Sequence, residues 1–247
     1  METKFKLVIE YDGTAYHGWQ RQATDRSIQA EIEKALAVMT RREVSLAASG
    51  RTDAGVHALG QVAHFAAETT MTSSEFLKGL NSLLPVDIVI RSCKAVAAEF
   101  HARYDARRKT YEYRILNRPV PSAVDHRFVW HLRRELDLES MQAAAHHVVG
   151  QHDFKAFEGT GSPRSSTVRT IFRAAFFRED QDYLIFEIEG DGFLRYMVRN
   201  IVGTLVEVGR SRITPEDFKA ILNSRDREQA GATAPPQGLF LVSVDYA

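Results

Sequence analysis

Lys4-Phe5-Lys6-Leu7-Val8-Ile9-Glu10-Tyr11 alternates: Phe5, Leu7, Ile9 and Tyr11 fall on one side, and Lys4, Lys6, Val8 and Glu10 on the other. That two-residue period belongs to a half-buried strand. The period then changes. Ile28, Ile32, Leu36 and Met39, between Ser27 and Thr40, recur at helical spacing, with Gln29, Glu33 and Lys34 on the polar side. Val44 to Ala48 and Gln61 to Ala67 read as strands. Thr72 and Glu75 form a capping box for a helix carrying Phe76, Leu77, Leu80 and Leu84, and Pro85 stops it before a strand from Ile88 to Cys93.

The rest of the chain repeats this order of elements with different residues. Thr110 to Leu116 alternates through Tyr111, Tyr113 and Ile115, and Leu138 to Val149 is an amphipathic helix ending at Gly150. Strands are expected at Val168 to Phe177 and Tyr183 to Ile188, and a helix with a broad apolar stripe at Phe193 to Val208. Thr214-Pro215 starts a short last helix, and Leu239 to Val244 reads as a strand. Strands adjacent in sequence, without strict strand-helix alternation, point to an α+β fold with mainly antiparallel sheets. Two similar halves are expected, residues 1–105 and 106–247.

The 247 residues are 44% hydrophobic and 26% charged, an ordinary globular composition that excludes disorder and collagen-like repeats. Basic and acidic residues number 32 each, so net charge advertises no partner. Their distribution does. Of the 32 basic residues 24 are Arg, and His101 to Arg134 holds nine Lys and Arg against three Asp and Glu. Arg164, Arg169, Arg173 and Arg178 follow in a stretch without an acid. Arg presents a planar fork suited to phosphates and base edges, so one positive face for an anionic partner is expected; a salt-bridged, solvated surface is the plainer reading. The single Cys93 excludes an internal disulfide and a Cys-based zinc site. The longest apolar run, Ala35 to Met39, has five residues, against the roughly 20 that span a bilayer. With no apolar leader before the first strand, a soluble cytoplasmic protein is expected.

Ser49-Gly50-Arg51-Thr52-Asp53-Ala54-Gly55-Val56-His57-Ala58-Leu59-Gly60 is the least generic stretch. Three glycines around Arg, Asp and His, between two expected strands, allow sharp turns and close approach of a ligand. Asp53 is ionised at neutral pH without help from a base, as a nucleophile or charge stabiliser must be; as a turn former bonded to its own backbone it would have no chemistry. Arg51 and Arg199 are the candidate cations beside it. Arg199, next to Met197, Val198 and Ile201, could equally lie on the polar edge of its helix with a snorkelling stem.

His57, His64 and His101 match no metal-ligand spacing, and no P-loop or dinucleotide fingerprint is present. Chemistry without metal or cofactor is expected. Tyr104, Tyr111, Tyr113, Phe128 and Trp130 are interleaved with Arg103, Arg107, Arg108, Lys109, Arg114, Arg118 and Arg127. Cations for phosphates with rings for unpaired bases is how proteins hold RNA loops. Core burial is the alternative for the tyrosines, since Tyr111 shares a strand face with Ile115.

Five separated motifs add a likeness: Tyr11-Asp12-Gly13-Thr14 through Gly18-Trp19-Gln20-Arg21-Gln22, Gly50-Arg51-Thr52-Asp53-Ala54-Gly55-Val56-His57, Phe100-His101-Ala102-Arg103, Met197-Val198-Arg199-Asn200-Ile201-Val202-Gly203 and Gly238-Leu239-Phe240-Leu241. In this order, over nearly the whole chain, they resemble the tRNA pseudouridine synthases of the TruA type. The resemblance implies an isomerase that converts uridine to pseudouridine at positions 38, 39 and 40 of the tRNA anticodon stem and loop, with no cofactor or metal. It implies Asp53 as nucleophile and Tyr111 as the ring stacked on the target uracil, with a part in proton transfer; the residue chemistry adds Arg199 as the ion-pair partner of Asp53 and Arg51 as an aid to flipping, both as expectations. Arg51, Arg103, Arg107, Arg108 and Lys109 would hold the tRNA. It also implies a homodimer, and two halves whose sheets meet around a catalytic cleft with helices on the outer face. Residues 118–134 match nothing in it.

Two other classes compete. A non-catalytic RNA-binding module or tRNA chaperone explains the basic and aromatic residues but leaves the Asp53 loop without a task. A metal-dependent hydrolase would use Asp53 with the histidines.

Overall fold

The computed structural model describes residues 2–159, 161 and 166–246; Arg164, counted above, lies outside them. The chain divides into two compact units, Met1–Arg107 with Phe240–Ala247, and Arg108–Leu239.

In the first unit the expected alternation pairs outward from β1 (Glu2–Tyr11). It runs antiparallel to both β3 (His57–Glu68) and β4 (Ile88–Val96), with Phe5 opposite Phe65 and Leu7 opposite Ala63 and Cys93. A short β2 (Ala47–Ala48) adds to β3 on one part of its length. The strand that returns to this unit, Leu239–Tyr246, pairs parallel to β3 through Phe240 and His57. Phe5, Leu7, Ile9 and Tyr11 are buried, as the alternation requires, and Phe5 stacks on Phe65 with ring centroids 5.2 Å apart. The apolar faces of α1 (Ile28–Thr40) and α2 (Ser73–Leu83) close this core with Ile28, Ile32, Leu36, Phe76 and Leu80. Ser27 caps α1, and Thr72 with Glu75 caps α2 reciprocally. Such caps supply partners for N–H groups that helix geometry leaves unpaired.

In the second unit β5 (Ala106–Asn117) pairs antiparallel with β9 (Tyr183–Gly190), β9 with β8 (Val168–Glu179), and β8 with β7 (Gly150–Asp153). A short β6 (Trp130–Leu132) lies parallel to β5. Helix α3 (Leu138–His146) packs on β8 and against α4 (Met197–Gly209) and α5 (Pro215–Ser224). Ile201, Val202 and Leu205 of α4 are fully buried, as are Met141 and Phe218 from its neighbours.

The fold is thus α+β with mostly antiparallel strand pairs. Several expected boundaries move. Strand β3 begins at His57, four residues before Gln61, because pairing with Phe240 and Leu241 draws the end of the glycine loop into the sheet. Only Ala47 and Ala48 of the strand expected from Val44 pair. The helix expected from Phe193 starts at Met197, since Tyr196 takes a left-handed conformation with φ of 61°. Helix α3 ends at His146 rather than Val149, and the Gly150 that was to stop it opens β7. Neither β7 nor β6 shows an alternation long enough to announce it. Among the described residues, no helix is long and apolar enough to cross a membrane.

Candidate active site

The loop from Ser49 to Val56 is braced by neighbours that leave its backbone little choice. From β3, buried Gln61 accepts from the Ser49 hydroxyl at 2.7 Å and donates to the Gly50 carbonyl at 3.0 Å. From the end of β1, the Tyr11 hydroxyl pairs with Thr52 Oγ1 at 2.7 Å. From the turn before α1, the Trp19 N–H donates to the Thr52 carbonyl at 3.1 Å, and Gly55 N–H donates to the Tyr16 carbonyl at 3.3 Å. Tyr11, Tyr16 and Trp19 are all buried. The loop then closes on itself: Val56 N–H donates to the Asp53 carbonyl at 3.1 Å, with Gly55 at a φ of 76° that suits glycine. Asp53 is left half-buried and Arg51 exposed.

Burial pushes the Tyr11 phenol up to about 12, against smaller opposing effects of its hydrogen bonds to Thr52 and Gln61. At neutral pH it is therefore an uncharged partner for Thr52. His57, at the end of the loop, is buried and stacks on Phe240 with centroids 4.7 Å apart. Its Nδ1 lies 3.1 Å from the Gly13 nitrogen and 3.2 Å from Asp12 Oδ1, which ties the end of the loop to the turn after β1. His64 Nδ1 accepts from Ala102 N–H, and His101 Nδ1 from the N–H groups of Arg103 and Tyr104. Burial, with His101 and Lys4 nearby, holds the His64 imidazole below its usual range. The three histidines fasten turns, and among the described residues no group of three His, Cys, Asp or Glu side chains is placed to hold a metal ion.

In the second unit, Tyr111 lies on β5 opposite Ile188 and is 8% exposed, its ring edge-to-face with Phe193 at 5.0 Å. It is a core residue at the margin of the core, sharing its face with buried Tyr113 and Ile115. Arg199 is half-buried on α4; its Nε donates to the Ala234 carbonyl at 2.7 Å and its guanidinium lies 5.1 Å from the Tyr196 ring centroid. The Tyr113 hydroxyl donates to the next carbonyl, that of Pro235, at 2.8 Å. Burial drives the Tyr113 phenol far above its ordinary range, with Arg199 acting weakly the other way. Residues 234 and 235 thus receive one donor from the sheet and one from the helix.

Of the expected basic contacts, Arg103, Arg107 and Arg108 are exposed and Lys109 half-buried. Arg108 bonds Glu189 at 2.9 Å and covers the half-exposed Phe172 ring at 5.1 Å. Periodicity had no means of finding the braces. Gln61 carried a signal, an amide at the head of the strand expected after the glycine loop; Tyr196 carried none, since nothing in its neighbours demands a left-handed turn.

The chain matches the family model described as tRNA pseudouridine synthase over residues 7–105 and 144–247. The chain belongs to the tRNA pseudouridine synthase family. Relatives named tRNA pseudouridine synthase A share 48% identity in Acetivibrio thermocellus, over 98% of each chain, and 46% in Syntrophotalea carbinolica, over 98% of this chain and 96% of that one. A third, from a Thermoanaerobacter species, is 45% identical over 97% of this chain and 98% of its own. The solved structure titled "Crystal structure of the archaeal box H/ACA sRNP Nop10-Cbf5 complex" aligns at 12% identity and a TM-score of 0.34, over 91% of this chain and 59% of that chain, and plays no part in the assignment. As a tRNA pseudouridine synthase the chain is an RNA-modifying isomerase. Asp53, Arg51, Arg103 and Arg199 lie in the stretches matched to the family model, whereas Tyr111, Arg107, Arg108 and Lys109 lie in the interval between them.

Proposed function

We propose that this chain isomerises uridine to pseudouridine at positions 38, 39 and 40 in the anticodon stem and loop of tRNA, with Asp53 as the nucleophile toward a flipped-out target nucleotide. The reaction breaks the C1'–N1 glycosidic bond and forms C1'–C5 on the same uracil. C5 gives up a proton and N1 gains one, so the balance closes without oxidant, reductant or second substrate. What such a reaction asks of the protein is a fixed carboxylate and a grip on a base taken from its stack. Extrusion costs a few kcal/mol, less near a loop than inside a duplex.

The observation that carries this reading is the bracing of the Asp53 loop. Its backbone is tied on both sides of Asp53 to buried residues of the core, while the Asp itself stays half-exposed. A carboxylate held this way meets a substrate without first paying to order the loop. Tyr111 is assigned to stacking on the uracil and Arg199 to charge balance. Arg51, Arg103, Arg107, Arg108 and Lys109 are assigned to the tRNA backbone. A cytoplasmic homodimer working without metal or cofactor completes the proposal.

The test uses a tRNA transcript carrying tritium at uracil C5, because the product has the mass of the substrate. Wild type is expected to release tritium, and Asp53→Asn to bind the transcript equally well and release none. Binding by wild type with no release would overturn the reading in favour of a non-catalytic RNA-binding module.

A further inference from the structure

Of the eight tyrosines, all within the described residues, only Tyr104 stands out in water, 74% exposed. It belongs to a turn whose N–H groups are all paired. His101 N–H donates to Asp105 Oδ2 at 2.8 Å, Ala102 N–H to His64 Nδ1 at 3.1 Å, and Asp105 N–H to the His101 carbonyl at 3.1 Å. Arg103 and Tyr104 N–H both donate to His101 Nδ1, at 3.1 and 3.3 Å. The Ala102 carbonyl accepts from the Tyr246 hydroxyl at 2.7 Å. Five consecutive N–H groups are thus paired, and buried Ala102 pins the turn to its unit. The Tyr104 ring is outside this network, resting on the His101 ring at 4.2 Å and 30°, with the Arg103 guanidinium 5.8 Å from its centroid.

A large ring kept in water on a locked backbone forgoes the burial that such a side chain ordinarily gains. What it offers instead is a rigid π-face beside an exposed cation, the pair of features that holds single-stranded nucleic acid. We infer that Tyr104 is a stacking platform for an unpaired base of the RNA substrate, with Arg103 contacting the adjoining phosphate. The inference rests on the reading of the substrate as tRNA and adds a base-binding position beyond the Asp53 loop. His101 backs the platform: its ring lies against Tyr104 while its Nδ1 fixes the two N–H groups that orient the turn. The ring meets any base by its π-face and so supplies affinity rather than sequence preference.

The test titrates an unmodified tRNA transcript against the full chain and its variants across a salt series. Tyr104→Ala and Tyr104→Leu are each expected to weaken binding by at least about fivefold, the lower range for losing one stacked base, while Tyr104→Phe binds like wild type. Removing a ring leaves the salt dependence unchanged, whereas Arg103→Gln lowers the slope of log K against log salt by about one phosphate contact. Thermal melting at the wild-type temperature for Tyr104→Leu separates lost stacking from a lost fold. Binding within twofold of wild type for both Ala and Leu, or equal weakening by Phe, would overturn the platform. Tritium release by the wild type on the same transcript reads the catalytic proposal separately, so either can fail while the other stands.

Discussion

Gly18 lies against the carbonyl of Thr52, the residue before Asp53: a Cβ at position 18 would stand 2.6 Å from that oxygen, and Gly18 has a φ of 88°. The contact is backbone to backbone, so no side-chain rotation relieves it. Gly18→Ala must push Thr52, and with it Asp53, away from the segment that carries Trp19, and must hold alanine where L-residues are strained. The variant is expected to lose about 1 to 3 kcal/mol of stability by urea unfolding. Tritium release should fall more than tenfold while tRNA affinity is kept. Wild-type turnover in a folded Gly18→Ala enzyme would mean that the position of the Asp53 loop is not what the chemistry depends on.

Burial of the Tyr11 phenol, the partner of Thr52, supplies a pH signature. Burial raises the Tyr11 phenol from 10.0 to about 12, so the unfolded chain ionises this group at lower pH than the folded one. Its contribution to stability is therefore full below about pH 10 and is lost as pH rises through the window to about 12. Tyr11→Phe abolishes that titration and leaves Thr52 without its partner. Wild type minus variant should give a stability difference of roughly 1 to 2 kcal/mol at neutral pH, shrinking above pH 10. Parallel urea midpoints for the two proteins from pH 8 to 11.5 would show that Tyr11 is not the group responsible.

Gly203 on α4 makes the tightest approach in the second unit, where a Cβ would sit 1.8 Å from the Ala232 carbonyl oxygen. Helix and following segment meet here without an intervening side chain. Gly203→Ala should cost about 2 to 3 kcal/mol, more than the helix preference for alanine returns. Because the Arg199 contacts to Ala234 and Tyr196 lie on the same helix, turnover should fall with stability. A variant as stable as wild type by differential scanning calorimetry would contradict the packing described here.

Alternation in β1 and helical spacing in α1 and α2 were plain in the sequence because each of these elements buries one face, which is the condition under which periodicity is written into a chain; α5 was marked only by its Thr214-Pro215 start. Strands β6 and β7, of three and four residues, carry no period of their own and exist through pairing with β5 and β8. The start of β3 was hidden for a similar reason: His57 joins the sheet through a partner nearly two hundred residues away. At the site, the glycine pattern marked the Asp53 loop, but of the residues that hold it only Gln61 carried a mark, while Tyr11 and Tyr16 read as ordinary strand and turn residues. Composition placed Tyr104 and Tyr111 in one class of aromatic among cations. Burial separates them, since one is exposed on a closed turn and the other lies at the margin of a core.

Arg199 provides the last prediction. Its Nε–H donates to the Ala234 carbonyl and its guanidinium faces the Tyr196 ring, a pair of contacts that suits a planar fork. Lysine keeps the charge and loses that geometry. Arg199→Leu and Arg199→Lys are both expected to reduce single-turnover tritium release by more than tenfold, with tRNA affinity within about threefold of wild type. Tyr196→Leu, which removes the ring but not the charge, should cost less than either. If Arg199→Lys restores turnover, charge alone suffices and the fork is incidental; if Arg199→Leu turns over normally while Asp53→Asn is dead, the charge balance proposed for Arg199 fails and its bond to the Ala234 carbonyl is a structural one.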